Sequence, residues 1–456
     1  MQTQIVFGDS WVTAELPDGT HRVGPGVSLG VEPIEDIDAA AAHALANPID
    51  TPPLVSLARE ASRVLIAFDD PTVPCYAPVW PFALKNILRT LADAGVEDDK
   101  IELVCANALH RKFTGGEIAK LIGEDLVRWA GPRFACHDAE DSNAMIPIGR
   151  TANGLHVDLN RKAVEADLVI YVNCSTTRGF SGGWKSICVG LASYRSIAHH
   201  HTPDIMSMSM GRNQMHEMLD EMGVLTESEL GREKFFKFET VLANPLQPAA
   251  FFTGSVGATR AAAIDMNRSN MANRRDLVDE KADVVVYGVP DWSPYAAYSH
   301  TNPILTLIST ALGYLGGMIE ALGKPGCTAI IATPCIDRWD DIHHPSYRDV
   351  WERVLPETKD PYEAKAMYEE EFATDPRYID SYRNGFGFHG VHGIMALYPL
   401  KRLRHATRII VAGPQDRRLP EHVGFEWAPT VEDALASVDG SPSVAFVDYP
   451  AAFNRQ

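Results

Sequence analysis

Short apolar runs, each followed at once by a polar loop and then by a helical pattern, constrain this chain more than any other feature. RVLIAF, from Arg63 to Phe68, leads into DDPTVP and the helical VWPFALKNILRTLADAGV. IELVCA, from Ile101 to Ala106, leads into NALHRKFTGGEIAKLIG, and LVIYVN leads into CSTTRGFSGGWKS. Runs this short and this apolar read as strands buried on both faces, as in a parallel sheet covered by helices. A second series follows, with ADVVVYG from Ala282 to Gly288, a long helix from about Pro303, then CTAIIATP, TRIIVAG and SVAFVDY. The expected fold is α/β, with two alternating β/α domains, mainly parallel sheets and the active site in the cleft between them. The boundary is placed so that 1–278 form the N-terminal, ligand-binding domain and 279–456 the C-terminal one, the last segment being free to pack back on the first. Residues 4–32, broken by prolines and glycines, read as a small β element before the main fold.

Composition narrows the function classes. At 456 residues, 45% apolar and 22% charged, the chain has the size and balance of a globular protein of more than one domain. A formal charge of −19 and the lack of a dense Lys/Arg patch argue against a nucleic-acid partner. No apolar run reaches bilayer-spanning length and the N-terminus lacks the pattern of a signal peptide, so no membrane partner and a cytoplasmic location are expected. Seven scattered cysteines without a C-x-x-C pair read as reduced thiols.

In α/β sheets ligands gather at the C-terminal ends of strands, and three strand ends here carry reactive side chains. Asp69 and Asp70 follow the first strand, where they suit either a ligand site or the cap of the next helix. His110 lies just beyond the second, as a general-base candidate or a solvated histidine beside Arg111. After the third comes the stretch from Cys174 to Pro203, with Gly179, Gly182 and Gly183, then Lys185 at the start of the helical KSICVGLASYRSI, then His199, His200 and His201. It reads as a phosphate-accommodating turn or as a glycine turn entering a core helix. A nucleotide-triphosphatase loop needs glycine directly before its lysine; Trp184 intervenes, and that reading loses its support.

DDPTVP, ALHRKFTGGE, HDAED and, above all, GFSGGWKS with a downstream histidine resemble the nickel-dependent lactate racemase family. ANPIDTPPL and TVEDALAS extend the resemblance over nearly the whole chain in the same order. It implies an isomerase that binds a nickel-pincer nucleotide (pyridinium-3,5-bisthiocarboxylic acid mononucleotide nickel) and racemises or epimerises a carbinol carbon by hydride transfer. Lys185 would match the lysine that can attach to that cofactor, His201 the Ni2+ ligand, and His110 a catalytic base. Asp70, Thr72, Gly179, Ser181, Gly182 and Gly183 would lie on the cofactor side.

Several substrate-side positions depart from the family pattern. The second catalytic histidine falls on Ser175, whose unassisted pKa is too high for a base. The carboxylate-gripping arginine falls on Val73, which makes no bidentate pair. In the second domain, Tyr298, Ser299 and Asn302 take the substrate-side positions, and His300 is a candidate for the missing base, ahead of His389 and His392. The expected substrate is a small-molecule hydroxy acid or polyol-type alcohol, larger or less anionic than lactate, with a homodimer as the candidate assembly. A one-way hydride transfer or dehydration with the same cofactor, and a non-catalytic nucleotide- or metal-binding paralogue, remain as alternatives.

Overall fold

The computed structural model describes residues 1–24, 31–73, 75, 77–175, 182–206, 213–272 and 280–449, without the side chains of 268–272. The chain divides into two compact units, Met1–Val27 with Arg274–Gln456, and Ser28–Asn273. The first unit opens with an antiparallel hairpin of β1 (Gln2–Phe7) and β2 (Ser10–Glu15), followed by β3 (His21–Val23).

The second unit is built on β4 (Val64–Asp69), β5 (Ile101–Ala106) and β6 (Phe134–Cys136), then β9 (Leu168–Ser175), β10 (Phe235–Asn244) and β11 (Gln247–Gly254). Between them β7 (Met145–Arg150) and β8 (His156–Asn160) form a separate antiparallel pair. The sheet order is β11-β10-β9-β4-β5-β6, parallel throughout except for β10 with β11. From β4 the chain moves outward through β5 and β6, then returns to the other side of β4 as β9. The strand order therefore reverses between β4 and β9, and such a reversal opens a crevice at the strands' C-terminal ends.

The first unit resumes with β12 (Ala282–Gly288), β13 (Gly323–Ala332), β14 (Arg408–Ala412), β15 (Glu426–Ala428) and β16 (Val444–Val447). Their sheet order is β15-β14-β13-β12-β16-β3, every pairing parallel. The expected α/β architecture with mainly parallel sheets is thus present.

The N-terminal segment and the long helix from about Pro303 differ from expectation. Residues 1–27 belong with the C-terminal unit, because β3 pairs with β16 and the hairpin lies on β12. A Cβ at Gly288 would stand 1.9 Å from Val6 O, so only glycine lets that backbone approach. The last strand, β16, pairs with β12 and β3 in the sheet of the first unit. The helix is π-helical over Leu305–Tyr314, with Leu315 N donating to Thr310 O at 2.8 Å, before an α-helix at Gly317–Leu322. No helix among the described residues is long and apolar enough to cross a membrane. All seven cysteines are free thiols.

Candidate functional site

The ends of β4, β5 and β9 bring the sequence-expected residues of the second unit together. Asp69, Asp70, Thr72, Val73, His110 and Lys185 line one cavity, with Asn173, Gly182 and Gly190. His110 sits on a tight turn in which its N–H donates to Asn107 O at 2.7 Å and Asn107 Nδ2 donates to His110 O at 2.9 Å. Ala108 holds φ +49 in this turn, a left-handed conformation that non-glycine residues adopt at a cost. The turn aims His110 Nδ1 at Asp70 Oδ2, 2.9 Å away, and Thr72 Oγ1 donates to Asp70 Oδ1 at 2.6 Å. A buried carboxylate accepts from Nδ1–H, which fixes the tautomer and leaves Nε2 as the basic nitrogen. Asp70 therefore orients the candidate base and does not cap a helix: the helix Val79–Asp93 begins later and has no side-chain cap.

Asp69 faces inward from the neighbouring position. Its Oδ1 accepts from Tyr171 OH and its Oδ2 from Cys174 N–H, both at 3.1 Å. Burial pushes its pKa up to about 7 against the pull of Lys237, with Asp70 adding to the rise.

Lys185 lies in a short helix, Trp184–Gly190, entered through Gly183 at φ +66. The expected single helix through Ile197 is broken. At Gly190 a Cβ would meet Tyr171 OH at 2.7 Å, and Ser193 caps a second helix, Tyr194–Ile197, by accepting from Ser196 N. Lys185 is buried, and burial with the nearby Arg260 charge brings its pKa down to about 8. A lysine so tuned presents a sizeable fraction of neutral, nucleophilic amine at mildly alkaline pH.

His201 follows the second helix, its N–H donating to Ile197 O at 3.1 Å. Burial holds its pKa well below the usual histidine range, with the charges of His200, Lys185 and His110 in the same direction. It is therefore neutral, the form that ligates metals. Its Nδ1 lies 2.8 Å from His200 Nδ1, so one ring donates to the other; when His201 donates, its Nε2 carries the lone pair. His200 is fully buried, whereas His199 accepts from His156 N–H through Nε2 at 3.1 Å.

Residues 7–212 match the family of the lactate racemase N-terminal domain. Over that stretch the chain resembles the lactate racemase family. A lactate racemase of Lactiplantibacillus plantarum is 32% identical over 180 residues, 38% of this chain and 41% of that one. A lactate racemase of Thermoanaerobacterium thermosaccharolyticum is 30% identical over 241 residues, 51% of this chain and 52% of that one. The chain thus spans about half the length, or less, of the curated relatives it matches. The solved lactate racemase apoprotein from T. thermosaccharolyticum shares the fold over 100% of both chains, with a TM-score of 0.69 at 20% identity. A Thermotoga maritima protein of known structure covers 90% of this chain at a TM-score of 0.56 and 15% identity.

The resemblance to the lactate racemase family is borne out, and two departures from its pattern are visible in the site. Val73 is buried, and its apolar side chain lines the cavity. Ser175 is buried at the end of β9, and its hydroxyl donates to Glu239 Oε1 while accepting from Gly182 N–H at 3.3 Å. Gly179 and Ser181 lie outside the described residues.

The remaining expected residues belong to the other unit. Tyr298 holds φ +59, a strained conformation for an aromatic residue. Ser299 Oγ donates to Asp340 Oδ2, which also lies 2.8 Å from His343 Nδ1. Burial would raise the Asp340 pKa, but the hydrogen bonds from His343 and Ser299 hold it far below the usual range. Asn302 Oδ1 accepts from Leu305 N at 2.9 Å, capping the helical turn that starts at Pro303 and leads into the π-helical stretch. His300 is half-buried, and among the described residues its Nε2 has no hydrogen-bond partner. His392 Nδ1 lies 2.8 Å from Tyr347 OH and His389 is fully buried.

Lys237 and Glu239 escaped the sequence reading. Both are fully buried on one face of β10, where Lys237 Nζ lies 4.3 Å from the Tyr171 ring centroid. Their signal is the alternation of FFKFETVL, which reads as a half-solvated strand; here the polar face is covered.

Proposed function

We propose that this protein is an isomerase that racemises or epimerises a 2-hydroxy acid or related secondary alcohol other than lactate, by hydride transfer to and from a nickel-pincer nucleotide. The observation that carries the reading is the Asp70-oriented His110 at the sheet's reversal point, in one cavity with Lys185, on a chain that resembles the lactate racemase family.

The residues present fit such a group. Gly182 and Gly190 line the cavity without side chains, Lys185 has an amine neutral enough to bond covalently, and His201 is a neutral imidazole suited to Ni(II) beside sulfur donors. Among the described residues no three His, Cys, Asp or Glu side chains could hold a metal alone. A metal here would therefore take its other donors from the bound small molecule. When bound, the nickel-pincer nucleotide supplies a hydride acceptor. His110 Nε2 takes the hydroxyl proton of the substrate, and Asp70 stabilises the imidazolium that results. Val73 offers no cation for a carboxylate, which favours a substrate gripped elsewhere or less anionic than lactate.

Protein produced together with the cofactor's biosynthetic enzymes is expected to retain nickel, show visible absorbance and carry added mass on Lys185. Chiral chromatography of a panel of 2-hydroxy acids and sugar acids then reads turnover. Deuterium placed at the carbinol carbon should return to that carbon, and its appearance elsewhere would sink the isomerase reading. Absence of both nickel and visible absorbance sinks the cofactor assignment.

A further inference from the structure

Two charged side chains in the interior of a parallel sheet are costly. Each ion pays a desolvation penalty of several kcal/mol, and apolar residues of like volume serve stability as well or better. Lys237 and Glu239 occupy such positions, fully buried on a strand flanked by β9 and β11. Across the ladder Lys237 stands opposite Tyr171 and Glu239 opposite Asn173, so all four side chains share one face of the sheet. Among the described residues Lys237 Nζ, Glu239 Oε2 and Asn173 Oδ1 have no hydrogen-bond partner. Glu239 Oε1, by contrast, accepts the hydroxyl proton of Ser175. Gly182 closes the group from above: a Cβ there would stand 2.1 Å from Glu239 Oε2, so only glycine leaves the carboxylate its place.

Ser175 is thus not an isolated hydroxyl. Its one proton points at a carboxylate, and its oxygen accepts from Gly182 N–H beside the cavity. We infer that Ser175 and Glu239 form the second proton-transfer group of the site, with Ser175 Oγ touching the substrate and Glu239 positioning that hydroxyl and receiving its proton. The inference rests on the function proposed above. The step is a proton relay alone. The substrate O–H bond breaks and a new O–H bond forms on Ser175 Oγ, while the original Ser175 proton passes to Glu239 Oε1. An alkoxide and a neutral carboxylic acid result, and the reverse transfer restores both. Lys237 on the same strand and the neutral Cys174 of β9 lie within electrostatic reach of Glu239, and Asp69 of β4 acts on both of them and on Lys185 of Trp184–Gly190, which also feels Arg260 of the helix Val256–Ala272. Among the described residues Glu239 Oε2 has no hydrogen-bond partner, which leaves room on the carboxyl for a proton.

The holoprotein tests this with Glu239→Gln, Glu239→Asp and Ser175→Ala. Glu239→Gln and Ser175→Ala should each lower turnover of whichever panel compound the wild type converts by about 100-fold or more. Nickel retention should stay at wild-type level, and the double variant should be no slower than either single one. Glu239→Asp should recover part of the rate with a shifted pH profile, which a merely structural role would not do. Wild-type turnover and pH profile in Glu239→Gln overturn the inference, as does joint loss of nickel and activity. A readout independent of turnover is the infrared difference spectrum of the full-length protein on acid titration. A protonated-carboxyl band that vanishes in Glu239→Gln and shifts in Ser175→Ala supports the pair; no such band overturns it. If the wild type converts nothing in the panel while that band is present, the proposed function fails and the Ser175–Glu239 proton pair stands.

Discussion

The two six-stranded sheets are built alike, yet their central strands are filled differently. In the first unit β12, β13, β14 and β16 bury chiefly valine, isoleucine and alanine: Val284 to Val286, Ala329 to Ala332, Ile409 to Ala412, Val444 to Val447. In the second, β9 and β10 bury Tyr171, Asn173, Ser175, Lys237 and Glu239 among their apolar residues. One sheet is a core; the other is a core with ionisable groups set into it. Apolar strands suffice to hold a parallel sheet, so the charged pair is an expense the fold itself does not demand. Those charges adjoin the reversal point where Asp70, His110 and Lys185 meet.

The contrast can be broken by experiment, and the largest expected effect lies at the base. His110→Ala should leave nickel bound and lower turnover about 10²–10⁴-fold, measured on the co-produced holoprotein. Full activity in that variant would remove the charged sheet's claim to be the working one. Next comes the buried pair. Glu239→Met alone should destabilise by about 3–5 kcal/mol, by stranding Lys237, whereas Lys237→Met with Glu239→Met should be neutral or stabilising. Denaturant midpoints read both. Ile330→Ala, in the apolar sheet, should cost about 2–5 kcal/mol with no second substitution able to restore it so simply.

A smaller, pH-dependent difference follows from Asp69. Its folded pKa of about 7 lies above the ordinary 3.8, so between these limits the folded protein keeps a proton that the unfolded chain has lost. The stability this group lends is complete below that window and falls as pH rises through it, by on the order of a few kcal/mol in all. Asp69→Asn should flatten that slope in midpoints measured at a series of pH values; an unchanged slope would place its cause elsewhere. Smallest is Ala108→Gly, which relieves the left-handed strain at φ +49 at the expense of greater chain entropy when unfolded. It should shift stability by no more than about 1 kcal/mol and leave the position of His110, and hence kcat, within about twofold.

The strands of both sheets were legible because a buried parallel strand is a short apolar run, and Ile101–Ala106 and Ala282–Gly288 fall where the sequence put them. His110 and Asp70 were legible because they follow such runs directly. Lys237 and Glu239 were not, since FFKFETVL alternates like a strand with one wet face, whereas here that face is buried and Gly182 lies against the Glu239 carboxylate. The break after Gly190 was equally hidden: it arises from the approach of Tyr171, which local pattern does not encode. Nor does local pattern show that β3 joins β16, a pairing between segments from opposite ends of the sequence.

That pairing sets an order of events during synthesis. β3 leaves the ribosome early, but the edge it must join is made only when Val444–Val447 emerges. At about 5–20 residues per second the wait is on the order of tens of seconds. Meanwhile the whole of Ser28–Asn273, whose sheet draws no strand from outside that range, can fold. Translation therefore allows Ser28–Asn273 to fold first and keeps β3 without its β16 partner until that strand is made.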